Sequence, residues 1–236
     1  GYGCTTVMLA NFWKGNMKVL THVADKEVGT RELDYYLTEH FADEILKKYK
    51  VDVKSNKRAR VRLLQACEKL KTLLSGNTTA PLNIENLMDI DVNIQGFKRE
   101  EMEVATAVVF DRLRALCKQA MAAAGVDAKA VSKVEMIGGG CRVPLFKQVV
   151  QEMFEQPPGF TLNATESVAR GTAITAAVYS PKFKVRQYVV HEAPMRPILL
   201  GYYSSTATAV SSVSFLPQVN KVFTVFNMND RYPKTP

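Results

Sequence analysis

The sequence has little of what metal, thiol or membrane chemistry needs. Its 236 residues hold four cysteines, Cys4, Cys67, Cys117 and Cys141, and three histidines, His22, His40 and His191. No two cysteines form a C-x-x-C pair, so the spacing of a structural zinc site is missing and no metal ligand is assigned. The thiols read as reduced packing residues of an intracellular protein. No apolar run reaches the roughly 18 residues of a membrane span. No signal peptide is visible. The chain opens on Gly1-Tyr2-Gly3 without an initiator methionine, which reads as the interior of a longer protein. Two sequons, at Asn77 and Asn163, lack a secretory context and are read as chance. Neither G-x-x-x-x-G-K-[ST] nor G-x-G-x-x-G occurs. No Ser-His-Asp or Cys-His set has supporting context, so no catalytic residue is assigned.

What is there describes an ordinary folded protein, 47% hydrophobic and 23% charged. A formal charge of +8 permits an acidic partner, a nucleic acid or a nucleotide, without establishing one. The excess is concentrated in Lys47, Lys48, Lys50, Lys54, Lys57, Arg58, Arg60 and Arg62. Two readings stand, a solvated helix surface and a basic patch that binds RNA or an acidic protein. No interleaved aromatic residues support stacking on a single strand.

Periodicity predicts strands over Thr5–Asn11 and Met17–His22, joined by a hairpin turn at Lys14-Gly15-Asn16. Arg31–Lys50 is predicted helical, with Leu33, Tyr36, Leu37, His40, Phe41, Ile45 and Leu46 on one side. Ser55 is expected to cap a second helix that reaches about Leu74, and Gly76-Asn77 to stop it. Short strands are expected over Pro81–Leu87 and Asp89–Gln95, with Asp89 and Asp91 as turn residues. One long helix is expected over Lys98–Ala124, closed by Gly125. Val134, Met136 and Ile137 read as a strand, followed by three glycines and a helix opened by Pro144. Pro157-Pro158-Gly159 reads as a turn and Thr165–Val178 as a last helix. Alternation of this kind is an α/β layout. After Pro181 a proline-bearing linker leads to a segment rich in Val, Ser, Thr and Phe, Leu199–Met228, with a turn near Pro217-Gln218 and two or three strands.

Two features point to a ligand. Gly138, Gly139 and Gly140 end a strand, where ligands of α/β folds bind, and glycine lets backbone approach a phosphate or a ring. A tight packing turn would use the same residues. On the second helix Glu68, Lys71 or Thr72, and Ser75 share one face. A carboxylate, an ammonium and a hydroxyl in a row suit a ribose and a purine edge; a surface ion pair between Glu68 and Lys71 is the plainer reading. Arg142 follows the glycines and is placed to stack on a purine or hold a phosphate. Gly1-Tyr2-Gly3-Cys4-Thr5-Thr6 is placed to form a second phosphate turn.

Three segments carry a resemblance: Thr38–Met88, the glycine stretch VEMIGGGCRVPLFKQVVQ, and LNATESVARGTAITAA, Leu162–Ala177. In order and spacing they resemble the nucleotide-binding domain of 70-kDa heat-shock chaperones, and above all their large relatives, the 110-kDa heat-shock proteins. The resemblance implies an actin-like ATPase fold, of which residues 1–180 would be the second lobe, 181–198 the linker and 199–236 the start of a β-sandwich substrate domain. It implies that Gly1, Tyr2, Gly3 and Cys4 lie on a phosphate loop. It places Glu68, Lys71, Thr72 and Ser75 on the adenosine-contacting helix, Gly138, Gly139 and Gly140 against the nucleoside, and Arg142 beside the purine. The implied cofactor is ATP or ADP with Mg2+ in the complete parent.

The sequence also departs from the 70-kDa pattern. Thr6 replaces an aspartate near the magnesium, Cys4 a threonine, Thr72 an arginine against the base, and Thr165 an acidic residue. The linker VRQYVVHEAPMRPILL is longer and more basic. The large relatives diverge in the same loop and linker, so the resemblance to them implies a cytoplasmic cochaperone that exchanges nucleotide on a 70-kDa chaperone and holds unfolded clients, with the parent at most a slow ATPase and this segment inactive. An ATP-hydrolysing 70-kDa-type chaperone is the alternative within the family. Neither a membrane nor nucleic acid is an expected partner. The isolated segment is expected to self-associate through Val168, Ile174 and Val178.

Overall fold

A computed structural model describes residues 1–186 and 188–192, and the main chain of 198–202 and 221–226. The expected turn at Pro217-Gln218 lies outside the described residues. The chain forms two compact units, residues 1–7 with 24–185, and residues 8–23 with 186–236.

The first unit holds the helices. Helix α1, Thr30–Tyr49, buries Leu33, Leu37, Phe41 and Ile45, a spacing of four that keeps one face inward. His40 and Leu46, expected on that face, are exposed. Lys50 ends the helix in the left-handed conformation, its N–H donating to the Leu46 carbonyl. Helix α2, Lys57–Gly76, packs against α1 and β3 and buries Leu63, Cys67, Leu70 and Leu74. Its cap is Asn56 and not Ser55: the Asn56 Oδ1 accepts the N–H of Arg58 at 3.0 Å and of Ala59 at 3.2 Å. The Ser55 hydroxyl is spent one turn earlier, donating to the Asp52 carbonyl within a 3₁₀ turn.

In chain order the strands are β1, Thr5–Trp13, and β2, Asn16–Asp25, then β3, Thr79–Leu87, and β4, Ile90–Lys98. Strands β3 and β4 pair antiparallel, and β3 lies against α2. Both exceed the expected lengths. Their turn residues Met88 and Asp89 have positive φ, the geometry that follows strand twist into a tight hairpin. Asp91 belongs to β4 rather than the turn, and its carboxylate accepts the Asn86 N–H. Phe41 and Phe97 meet edge to face, 4.8 Å between centroids, beneath the hairpin.

The single long helix expected after β4 is two, α3, Arg99–Ala105, and α4, Ala107–Ala124. The break is Thr106, fully buried, whose hydroxyl donates to the Met102 carbonyl at 2.7 Å and competes with the helical ladder. Gly125 closes α4 as expected, at φ 64°. Helix α5, Pro144–Phe154, packs on α4 with Phe110 and Phe146 at 5.1 Å. The strand expected before the glycines shrinks to one bridge, Glu135 with Gly159. Gly159 is therefore a pairing residue, and a Cβ there would sit 2.6 Å from the Glu135 carboxylate. Helix α6 spans Ser167–Tyr179, starting later than expected because Asn163 accepts the N–H groups of Thr165 and Glu166.

In the second unit, the β1–β2 hairpin turns at Gly15, φ 74°. Strand β5, Val189–His191, lies within the expected linker and pairs parallel with Asn16–Lys18 of β2. The Trp13 and His191 rings stack at 5.9 Å. Strands β6, Ile198–Tyr202, and β7, Lys221–Phe226, pair antiparallel.

Candidate nucleotide site

Within the first unit, the N-terminal loop, the start of α1 and the glycine turn meet. The Gly1 carbonyl accepts the Thr30 N–H at 3.2 Å and the Tyr2 carbonyl accepts the Arg31 N–H at 3.0 Å. The loop is thereby fixed on the first turn of α1. Gly29 permits it: a Cβ there would lie 2.3 Å from the Tyr2 carbonyl oxygen, a clash no side chain survives.

On the other side of Gly1 is the glycine turn. Gly138 has φ +98°, and a Cβ on it would meet Gly1 at 3.9 Å. A Cβ on Gly140 would meet the Thr30 methyl at 3.1 Å and the Gly1 carbonyl at 3.6 Å. Residues Gly139–Arg142 wind into a 3₁₀ turn, held by Cys141 N–H to Gly138 and Val143 N–H to Gly140. The Gly138 N–H donates to Ala164, tying the turn to the segment before α6. Gly3 and Gly139 differ from their neighbours, with open space where a Cβ would stand. Two glycine-built loops are thus apposed, each with one glycine facing open space. Backbone amides in such loops suit an anion, and close approach suits a nucleoside.

Lys71 is joined to the same place by a different route. Its ammonium is buried, 2.7 Å from each carboxylate oxygen of Asp34 on α1 and 3.2 Å from the Thr30 carbonyl. The Tyr2 ring covers it, with the centroid 5.8 Å from Nζ. The ion pair expected of Lys71 is therefore made with Asp34 and not with Glu68, because the side chain points inward between α1 and α2. Burial pushes the Asp34 carboxyl above its usual range, Lys71 opposes the rise, and Glu68 adds to it. Glu68 is exposed. The Thr72 and Ser75 hydroxyls donate to the carbonyls four residues back, of Glu68 and Lys71. Arg142 is exposed at the end of the glycine turn.

The structure thus brings together Gly1, Tyr2, Lys71, Gly138 and Gly140 through described contacts. Cys4 is exposed beside them, and its N–H nitrogen lies 3.1 Å from where a Gly29 Cβ would stand. Glu68, Thr72 and Ser75 share α2 with Lys71, without a described hydrogen bond to the glycine loops, and Arg142 ends the glycine turn itself. Sequence reasoning missed Gly29, Thr30 and Asp34. The Val28-Gly29-Thr30 step into a helix was a legible signal; Asp34, four residues on, was not, because only the packed pair of helices reveals its partner. Among the described residues no group of three or more His, Cys, Asp or Glu could hold a metal ion.

The basic cluster is partly spent on structure. Lys54 pairs with Glu39 and Asp43, and Arg60 with Glu39. The Arg62 guanidinium donates to the carbonyls of Glu85 and Asn86, holding the β3–β4 hairpin. Among the described residues no helix is long and apolar enough to cross a membrane.

Comparison with known proteins agrees with the resemblance. The family model described as Hsp70 protein matches residues 1–210. Heat shock 70 kDa protein 14 of Arabidopsis thaliana is 40% identical over 89% of this chain and 25% of its own length. Two heat shock protein homologs of the yeast Saccharomyces cerevisiae are also similar. The first is 42% identical over 80% of the chain and 27% of its own length. The second is 37% identical over the whole chain and 32% of its own length. The chain therefore spans a quarter to a third of these relatives, and it belongs to the Hsp70 family.

Proposed function

We propose that this chain is the nucleotide-binding portion of a 110-kDa-type cochaperone. Residues 1–180 would be the second lobe of an actin-like ATPase domain, 181–198 the linker and 199–236 the start of the substrate domain. The observation that carries the reading is the apposition of Gly1–Cys4 with Gly138–Gly140 at the start of α1, beside Lys71.

In this reading ATP or ADP sits between the two glycine loops. The amides of Gly3, Gly139 and Gly140 face the phosphates, Glu68, Thr72 and Ser75 line the nucleoside side on α2, and Arg142 stands at the base. Mg2+ would neutralise phosphate charge. Thr6 offers a hydroxyl where a carboxylate would serve the ion better, which argues for binding over rapid turnover. In the full-length protein, bound ATP holds a conformation that grips a 70-kDa chaperone in the cytoplasm and releases its ADP, while the substrate domain holds unfolded clients. The parallel pairing of β5 with β2 supports a linker that docks as a strand.

The test is release of a fluorescent ADP from a 70-kDa chaperone on addition of the full-length protein. Acceleration that requires ATP on the full-length protein is expected. No acceleration, together with robust steady-state hydrolysis, would favour the chaperone ATPase instead.

A further inference from the structure

Tyr2 has two parts that behave differently. Its main chain is fixed, because its carbonyl accepts the Arg31 N–H at 3.0 Å and only glycine at position 29 leaves room for that carbonyl. The residue is nevertheless 53% exposed, and its ring lies over the Lys71 ammonium. That ammonium has three N–H donors. The Asp34 carboxylate and the Thr30 carbonyl engage it from the protein side, and 9% of the side chain remains accessible. The Tyr2 ring centroid stands 5.8 Å from that ammonium. Desolvation, with the charges of Asp34 and Glu68, raises the phenol pKa above its ordinary value.

We propose that Tyr2 sets access to Lys71: its ring is a movable cover over the ammonium, and a bound nucleotide must turn it aside before a sugar hydroxyl or phosphate oxygen reaches that charge. The inference rests on the nucleotide-binding reading. It follows from an exposed side chain on an anchored main chain, which can change rotamer without moving the loop. It also separates two roles that the sequence merges. Tyr2 is a gate on the phosphate loop, not a ligand.

The experiment is titration of Mg-ATP into the full-length protein and its Tyr2→Ala, Tyr2→Leu and Tyr2→Phe variants, with thermal melts of each. Tyr2→Ala is expected to bind about two- to fivefold tighter, the value of one modest cation–π contact, made by an exposed ring, that no longer has to be broken on binding. Tyr2→Phe keeps the ring face and should match the parent. If Tyr2→Ala melts early, Tyr2→Leu carries the test: it fills the space without a π face and must still bind tighter than the parent. Binding by the parent that is unchanged or weakened in Tyr2→Ala and Tyr2→Leu overturns the gate and leaves nucleotide binding standing. Absence of saturable binding in the parent and all variants overturns both.

Discussion

The Lys71 ammonium on α2 lies 2.7 Å from both carboxylate oxygens of Asp34 on α1, with the two side chains 9% and 1% exposed. A lysine that looks like a surface ligand in the sequence is the buried tie between two helices. Desolvation of both charges makes the pair a weak net source of stability, but breaking it strands a charge. Lys71→Ala should destabilise the fold by about 3–5 kcal/mol, read as a lower midpoint in urea unfolding. The double change Asp34→Leu with Lys71→Met should recover most of that loss. A single substitution that leaves the midpoint unmoved would show that the pair is not formed in solution.

The N-terminal loop depends on Gly29. Gly29→Ala places a methyl 2.3 Å from the Tyr2 carbonyl and must push the loop off α1. Loss of saturable Mg-ATP binding is expected in the full-length protein. Gly76→Ala, where the added Cβ meets open space at the end of α2, is the control and should leave binding intact.

The Glu135–Gly159 bridge has a pH signature. Lys133 and Thr161 bond to the Glu135 carboxylate and hold its pKa below the usual 4.5. A depressed folded value means stabilisation present above the unfolded pKa and lost as pH falls through the folded one. Glu135→Gln should therefore lower Tm at pH 7, and the difference should close below about pH 4. A Tm gap that persists into acid would place the effect elsewhere.

Helix α6 presents Val168 and Ile174, more than 60% exposed, and Tyr179 at 84%. An apolar face of that kind drives association. The 236-residue chain expressed alone should form dimers or larger species, with Val168→Lys and Ile174→Lys together restoring the monomer. A monomeric mass by light scattering of the unmodified chain at high concentration would contradict this.

Much of the fold was legible because periodicity reports burial directly. The four-residue spacing of Leu33, Leu37, Phe41 and Ile45 is the inner face of α1, and Gly15 and Gly125 turn where they were expected to turn. The misses share a cause, competition between side chain and backbone. Thr106 breaks a helix that its neighbours would continue, Asn56 takes the cap that Ser55 was given, and Asn163 delays α6. The run Gly138–Gly140 stood out because glycine marks close approach, whereas Gly29, which makes room for the Tyr2 carbonyl, was passed over as a lone glycine before a helix. The partner of Lys71 did not, because a sequence shows which residues share a helix face and not which helix that face will meet.

The most direct measurement is calorimetric titration of Mg-ATP into the full-length protein beside its Gly139→Val variant. A Cβ at position 139 meets open space, so a valine there should leave Tm unchanged while placing bulk on the glycine turn where the nucleotide is proposed to sit. One saturable site is expected in the parent, with binding at least about tenfold weaker in the variant, a difference of about 1.4 kcal/mol. Equal binding by both proteins, or none by the parent, would contradict the proposed nucleotide site.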